Sequence, residues 1–273
     1  MIFKIIGKPI SHSLSPIIHN YWFNKLNIKA EYSLFEVSEK ELPQVIQDIR
    51  NKKIKGINVT LPFKQKVIPL LDKVLNEAKE TNSVNTIYLN EKNEVVGENT
   101  DVYGIQAAYL KEVVNENYKK QKALIMGAGG VSPSIVLALL KSKISNITIS
   151  NRTLEKSLFI KKRFPIIQIL EWSKIASAAT NFDIIINATS LGLKNEQDFD
   201  FTIENFKKTM KFIDTIYNPL ETKMMKNFRK NGNKTYGGLD MLLYQAQKSF
   251  YLWTKKNPEI NDELINLLVQ KLK

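Results

Sequence analysis

The sequence predicts an α/β protein of two parts: an N-terminal α/β substrate domain and a Rossmann-type dinucleotide-binding domain, with a cleft between them. Three observations predict this. Short apolar runs alternate with amphipathic segments of helical spacing along the chain, the pattern of strands joined by helices. One such run, Ala123 to Met126, stops at Gly127-Ala128-Gly129-Gly130-Val131-Ser132 and gives way to an apolar helical segment, Ile135 to Leu140. A second run, Ile147 to Ser150, arrives at the distance a βαβ unit requires.

The glycine turn has a chemical reading. A side chain at Gly127 or Gly129 would push a pyrophosphate away from the backbone amides at a helix N-terminus. The third small position is Ser132 rather than glycine, followed by Pro133, which suits a first helical turn. The second strand ends in Asn151-Arg152-Thr153, with Lys156 one helical turn further on. A carboxylate there would favour the ribose hydroxyls of NAD and repel a 2′-phosphate. Arginine does the reverse, so the expected cofactor is NADP.

A chain of 273 residues with 43% hydrophobic content is long for one core and comfortable for two. The expected boundary falls within the helix 102–114. Residues 1–101 then form the substrate-binding and catalytic domain and 102–237 the nucleotide domain. Residues 238–273 return to pack on the first. Zero cysteines exclude disulfides, thiolate nucleophiles and thiolate zinc sites, and with only His12 and His19 no histidine metal cluster is expected. The net charge of +13 comes from lysines spread along the chain, without a basic tail or aromatic–basic repeat. That distribution argues for a soluble surface that attracts anionic ligands rather than for nucleic acid. No stretch has the length of a membrane span, and the N-terminus turns polar too soon for a signal peptide. The expected location is the cytoplasm, as monomer or homodimer.

In chain order, Ile2 to Ile6 is a strand running into a hydroxyl-rich loop, Ser11 to Ser15, and Pro16 opens a helix for which Ser15 is the expected N-cap. Ser13 has no such capping duty, and free hydroxyls near a helix N-terminus suit a carboxylate. His12 and His19 lack a carboxylate nearby in sequence and are expected to be structural or orienting. A buried-type strand, Gly56 to Val59, leads into Thr60-Leu61-Pro62-Phe63-Lys64. If Pro62 opens a helix, Thr60 and Lys64 share a face at the carboxyl end of a strand, where ligands of parallel sheets bind. Asn82 to Leu89 and Val95 to Gly97 are expected as neighbouring strands, and Asp101 as the cap of the next helix. Further on, Asp183 to Ala188 and Phe212 to Ile216 are strands, Lys194 to Thr202 a polar loop, and Met241, Gln245 and Ser249 share one helix face.

The segments GKPISHSLSPIIHN, NVTLPFK, GENTDVYG, GAGG, NRT, NATSLG, YNPLET and GLDMLLYQA, in this order, resemble the shikimate dehydrogenase family across essentially the whole chain. The resemblance implies NADPH-dependent reduction of 3-dehydroshikimate to shikimate, on the route to aromatic amino acids. It implies that Ser13 and Ser15 bind the substrate carboxylate with help from Tyr217. Thr60, Asn85, Asp101 and Gln245 would bind ring hydroxyls, and Lys64 would be the catalytic acid/base with Asp101 beside it. Gly127, Ala128, Gly129, Gly130, Val131, Asn151, Arg152, Thr153, Lys156, Thr215 and Gly238 would contact NADP. Asn82-Ser83 departs from the family's usual Gly-Ala, and Ser132-Pro133 and Asp240 are less usual choices. The competing readings are an NAD-preferring quinate/shikimate dehydrogenase, a non-catalytic sensor of a cyclic acid and, last, a basic nucleic-acid-binding module.

Overall fold

In the computed structural model, residues 1–114, 120–194, 197–204 and 207–272 are described. The chain folds as two compact units, Met1–Gly104 with Leu243–Lys271, and Ile105–Leu242 with Leu272.

The first unit is built on strands β1 (Ile2–Gly7), β2 (Glu31–Glu36), β3 (Gly56–Val59), β4 (Lys73–Val74), β5 (Thr86–Leu89) and β6 (Val95–Glu98). Helices α1 (Ser15–Lys25), α2 (Leu42–Arg50) and α3 (Asn76–Thr81) connect them, and α4 (Asp101–Ile105) follows β6. The six strands form one sheet in the order β2-β1-β3-β5-β6-β4. The parallel arrangement expected from strand–helix alternation holds for β1 with β2 and β3, but β5 runs antiparallel to both β3 and β6. The cause is local. Only Asn90 to Glu94 separate β5 from β6, Asn90 accepts the Glu94 N–H, and so short a link makes a hairpin and has no room for a crossover helix. Ile57, Ile87, Val95 and Val96 are fully buried, and α2 lays Val45, Ile46 and Ile49 on the same core. A β-branched run buried on both faces is what the middle of such a sheet demands.

From α4 the helical path continues through a π-turn, Gln106–Leu110, and α5 (Lys111–Val113) into the second unit. There β7 (Lys122–Met126), α6 (Ser132–Lys141), β8 (Asn146–Ser150), α7 (Leu154–Arg163), β9 (Gln168–Leu170), α8 (Ile175–Ala178), β10 (Ile184–Asn187), β11 (Lys211–Asp214), α9 (Lys223–Lys230) and β12 (Lys234–Tyr236) follow one another. The sheet order is β12-β11-β10-β7-β8-β9, with every pairing parallel. In order of appearance this is the doubly wound 3-2-1-4-5-6 arrangement, whose switch point lies between β7 and β10. Of the polar loop expected over 194–202, residues 195 and 196 lie outside the described residues. Helix α10 (Gly238–Thr254) carries the chain from the second unit back to the first, where α11 (Asp262–Leu272) ends it. Among the described residues, no helix is long and apolar enough to cross a membrane.

Candidate active site

In the first unit, the polar residues singled out in the sequence gather at one end of the sheet. The loop after β1 bears Ser13, Ser15 opens α1, and the segment after β3 bears Thr60 and Lys64. Asn85 stands immediately before β5 and Asp101 just beyond β6. Because β5 is antiparallel to β3 and β6, its beginning lies beside their carboxyl ends, and the Val59 N–H donates to the Asn85 carbonyl at 2.8 Å. Gly7 is needed for this convergence. A Cβ there would stand 2.3 Å from the Thr60 methyl and 3.0 Å from the Leu61 carbonyl. The Lys8 N–H instead reaches the Leu61 carbonyl at 2.9 Å and ties the Ser13 loop to the Thr60 loop.

Lys64 Nζ donates to Asp101 Oδ2 at 2.5 Å, with side chains only 14% and 7% exposed. The other carboxylate oxygen, Oδ1, accepts from Asn85 Nδ2 at 2.8 Å. Asn85 cannot turn over. Its Oδ1 already accepts the Thr100 N–H at 2.8 Å and the Thr86 hydroxyl at 3.0 Å, so its amide must face the carboxylate. The pair is thus a charged, partly water-shielded donor–acceptor unit in which the Asp101 carboxylate orients the ammonium.

Three local expectations are corrected by this geometry. Asp101 does not cap α4. Asn99 does, its Oδ1 accepting the backbone N–H groups of Asp101 (3.0 Å) and Val102 (3.4 Å), which frees the Asp101 carboxylate for Lys64. Ser15 is the first residue of α1 rather than its cap, and the capping position is occupied by Leu14. It is Ser13 whose hydroxyl oxygen accepts the Ser15 N–H, at 3.3 Å. Pro62 opens no helix. Residues 61–67 form turns, with the Phe63 N–H on the Thr60 carbonyl and the Lys64 carbonyl accepting the Val84 N–H at 2.9 Å. Lys64 is held by that cross-link to Val84, the residue before Asn85, not by helical spacing.

The unusual Asn82 also finds its reason. It ends α3 in the left-handed conformation, φ 52° and ψ 43°, a place glycine fills without strain and asparagine tolerates best among other residues. Gln245 lies on α10, one turn before the buried Ser249. Composition and spacing did not single out Asn58, Thr86 and Thr100. The available signal was a polar residue inside an otherwise apolar strand, as in Gly56-Ile57-Asn58-Val59.

His19 is fully buried. Its ring stacks on Tyr32 at 4.4 Å and meets Trp22, Phe250 and Trp253 within 6.1 Å. Burial disfavours the imidazolium and lowers its pKa to about 3, against a smaller opposing contribution from Asn58. A ring so enclosed is a core element.

In the second unit, Gly127 has φ +108° and sits so close to β10 that a Cβ would come 2.8 Å from the Ala188 carbonyl. Gly129 differs. A Cβ there would meet only the Ala188 oxygen at 3.9 Å, so protein packing does not require glycine and the residue leaves open space. Ala128 donates its N–H to Asn151 Oδ1 at 3.0 Å, and Asn151 Nδ2 donates to the Thr153 carbonyl at 2.9 Å. Asn151 therefore ties the end of β8 to the glycine turn. Among the described residues, the amides of Gly129, Gly130 and Val131 have no backbone acceptor within the turn, and they precede the ten-residue α6. Ser132 is fully buried and donates its hydroxyl to the Gly127 carbonyl at 2.9 Å, so a serine closes the turn where the pattern has glycine. Arg152, Thr153 and Lys156, which follow Asn151 along the chain, are exposed. Thr215 donates its hydroxyl to the Asn187 carbonyl at 2.9 Å. Gly238 is fixed by packing, since a Cβ would lie 2.3 Å from the Thr215 carbonyl oxygen. Tyr217 is half-buried in this same unit, and burial raises its pKa.

Asp214, at the end of β11, is wholly buried and was not expected in any role. Its Oδ1 accepts from Asn187 Nδ2 and the Ile216 N–H, each at 3.0 Å, and its Oδ2 from the Thr222 hydroxyl at 2.7 Å. It thereby fastens the end of β10 to the loop after β11. Burial raises its pKa to about 6 although all three donors favour the anion, and Asp198 adds to the rise. The folded state therefore keeps a proton that the unfolded chain, with a value near 3.8, has released. The stabilisation present at low pH is lost as pH climbs through about 6, a loss of about 3 kcal/mol for two pKa units. Asp214→Asn is expected to remove that slope, seen as a smaller difference in denaturant midpoint between mildly acidic and neutral buffer.

Residues 5–87 match the shikimate dehydrogenase substrate binding domain, 109–222 the shikimate / quinate 5-dehydrogenase domain, and 238–261 the shikimate 5′-dehydrogenase C-terminal domain. A shikimate dehydrogenase (NADP(+)) of Pelagibacter ubique is 46% identical over 266 residues, covering 97% of this chain and 98% of that one. The chain belongs to the shikimate dehydrogenase family. Solved structures agree in fold and length with that membership. A shikimate dehydrogenase in complex with NADP+ superposes with a TM-score of 0.89 at 32% identity, covering 100% of this chain and 96% of that one. The Thermus thermophilus enzyme in complex with NADP(H) and shikimate gives 0.86 at 27% identity, with complete coverage of both chains, 100% and 100%. In family terms, the first unit carries the substrate-domain match and the second the dehydrogenase match.

Proposed function

We propose that the protein is a cytoplasmic NADP-dependent shikimate dehydrogenase that interconverts shikimate and 3-dehydroshikimate. The observation that carries this reading is the Lys64–Asp101 pair, oriented by Asn85 at the strand ends. NADPH, when bound, supplies the hydride that reduces the ring ketone. As the carbonyl carbon accepts that hydride, its oxygen gains alkoxide character and must receive a proton. The Lys64 ammonium is the donor, stabilising the developing charge and delivering a proton from Nζ. Asp101 holds the ammonium in place and offers its carboxylate to a ring hydroxyl. In the oxidative direction the same groups act in reverse, Lys64 taking the hydroxyl proton.

Ser13 and Ser15 are proposed to receive the substrate carboxylate together with Tyr217, and Thr60, Asn85 and Gln245 the ring hydroxyls. A polyol needs several placed partners, because each unmatched buried group penalises an analogue. The open space at Gly129 and the Gly129 to Val131 amides, which lack a backbone acceptor within the turn, fit a pyrophosphate at the start of α6. Asn151 is assigned to shape the turn as well as to face the nucleotide, and Thr215 and Gly238 to line the nicotinamide end.

Arg152, with Thr153 and Lys156, is assigned to the 2′-phosphate that distinguishes NADP from NAD. Arg152→Ala is expected to raise KM for NADP+ about tenfold while leaving that for NAD+ nearly unchanged, the size of one charge-assisted contact. Steady-state kinetics with both cofactors measures it. Equal effects on the two would remove the assignment. The reading as a whole is tested by whether shikimate oxidation with NADP+ is lost in Lys64→Ala.

A further inference from the structure

Asn85 and Asp101 do not stand alone; behind them lies a closed set of buried hydroxyls and amides centred on Ser249. Its Oγ is 3.1 Å from Asn58 Nδ2, 2.7 Å from Thr86 Oγ1, 3.1 Å from Thr100 Oγ1 and 3.0 Å from the Gln245 carbonyl. Ser249, Asn58, Thr86 and Thr100 are all buried. These four partners come from β3, β5, the turn before α4 and the preceding turn of α10 itself. Asn58 is anchored from behind, accepting the Tyr32 hydroxyl at 2.8 Å.

The hydrogen count gives Ser249 a definite part. Thr86 and Thr100 each reach Asn85 Oδ1, at 3.0 and 3.2 Å, and Ser249 reaches the Gln245 carbonyl. With the Thr86 hydrogen on Asn85 Oδ1 and Thr100 Oγ1 accepting from Asn85 Nδ2 at 3.0 Å, a Ser249 that donates to the Gln245 carbonyl accepts from Asn58 and from the Thr100 hydroxyl. A single oxygen then pins the Gln245 turn of α10 to the residues that fix the Asn85 amide. Alanine would strip this acceptor from buried groups that have no route to water.

We infer that Ser249 is a positioning residue, holding the Gln245 turn of α10 in register with the Asn85–Asp101–Lys64 constellation and so setting how tightly the ring hydroxyls of the substrate are recognised. This rests on the proposed reaction for its kinetic consequence, but not for its structural one.

The test compares wild type with Ser249→Ala and Ser249→Cys in the full chain. Cysteine fills nearly the same space and is a poor hydrogen-bonding partner, so it separates packing from hydrogen bonding. Both variants are expected to raise KM for shikimate about tenfold, the equivalent of one lost buried hydrogen bond, with KM for NADP+ unchanged. The Asn85 side-chain amide resonances are expected to be sharp and slowly exchanging in wild type, and to broaden or exchange faster in both variants. That signature needs no turnover, so an inactive wild type would defeat the proposed function while the amide spectra still decided the role of Ser249. The inference is overturned if Ser249→Ala lowers thermal stability but leaves KM for shikimate and the Asn85 resonances unchanged. It is equally overturned if Ser249→Cys behaves as wild type, which would make the residue a packing element only.

Discussion

Lys64→Ala is expected to lower kcat for shikimate oxidation by about a hundred- to ten-thousand-fold, the range general acid–base groups supply, while NADP+ affinity is retained. The variant also has a structural consequence that can be separated from the chemical one. The lysine and its partner are largely buried, at 14% and 7% exposure, so removing one charge strands the other. Breaking such a pair costs about 3–5 kcal/mol, mostly through the uncompensated ion that remains. Asp101→Asn in the same chain as Lys64→Ala removes that ion, and the double variant is expected to regain stability without regaining activity. Kinetics and denaturant unfolding on the wild type, both single variants and the double variant give the two answers separately. Recovery of turnover together with stability would mean that Lys64 supports the fold rather than the reaction.

Acid should weaken the protein through a residue far from proton transfer. The His19 ring, locked among Tyr32, Trp22, Phe250 and Trp253, has its pKa lowered from 6.5 to about 3. Its contribution is complete above 6.5 and is lost as pH falls toward 3, because only the unfolded chain takes up the proton in that window. Between about pH 7 and about pH 4 the loss amounts to roughly 3 kcal/mol. His19→Phe keeps an aromatic ring in the stack and removes the titrating group. Denaturant unfolding at the two pH values should therefore show a smaller acid-induced loss in the variant. The Asp214 contribution has the opposite slope over an overlapping range but is common to both proteins, so the difference isolates His19. Identical pH dependence in the two would mean that the imidazole titrates freely.

The large features of this molecule were legible in the sequence for reasons that are themselves local. A strand, a glycine turn and a helix are contiguous, so Ala123 to Leu140 announced the nucleotide-binding βαβ unit without any long-range information. Asn151 and Arg152 followed from where the next strand must end. Lys64, Asn85 and Asp101 were named, Lys64 by its place after a strand and all three by the family resemblance, but neither gave the geometry that brings them together. That geometry depends on β5 running against its neighbours, which places the start of one strand beside the ends of two others. A hairpin link of five polar residues decides it, whereas strand–helix alternation alone suggested a parallel sheet.

Capping was the least legible feature. Asp101, Asn99, Ser13 and Ser15 are all chemically able to cap a helix, and sequence offers no means of choosing among neighbours two residues apart. The choice matters here, because Asn99 taking the cap is what frees Asp101 to face Lys64. The buried set around Ser249 and the Asp214 clamp were hidden for a related reason. Their members are single polar residues in apolar segments, separated by as many as 191 positions along the chain. Only the fold assembles them.

The most direct test follows reduced-nicotinamide absorbance with purified protein, offering shikimate or quinate with NADP+ or NAD+ in all four pairings. Rapid reduction of NADP+ by shikimate and much slower reduction of NAD+ are expected. Turnover mainly with NAD+ and quinate would contradict the proposed function, and so would shikimate binding without reduction of either cofactor.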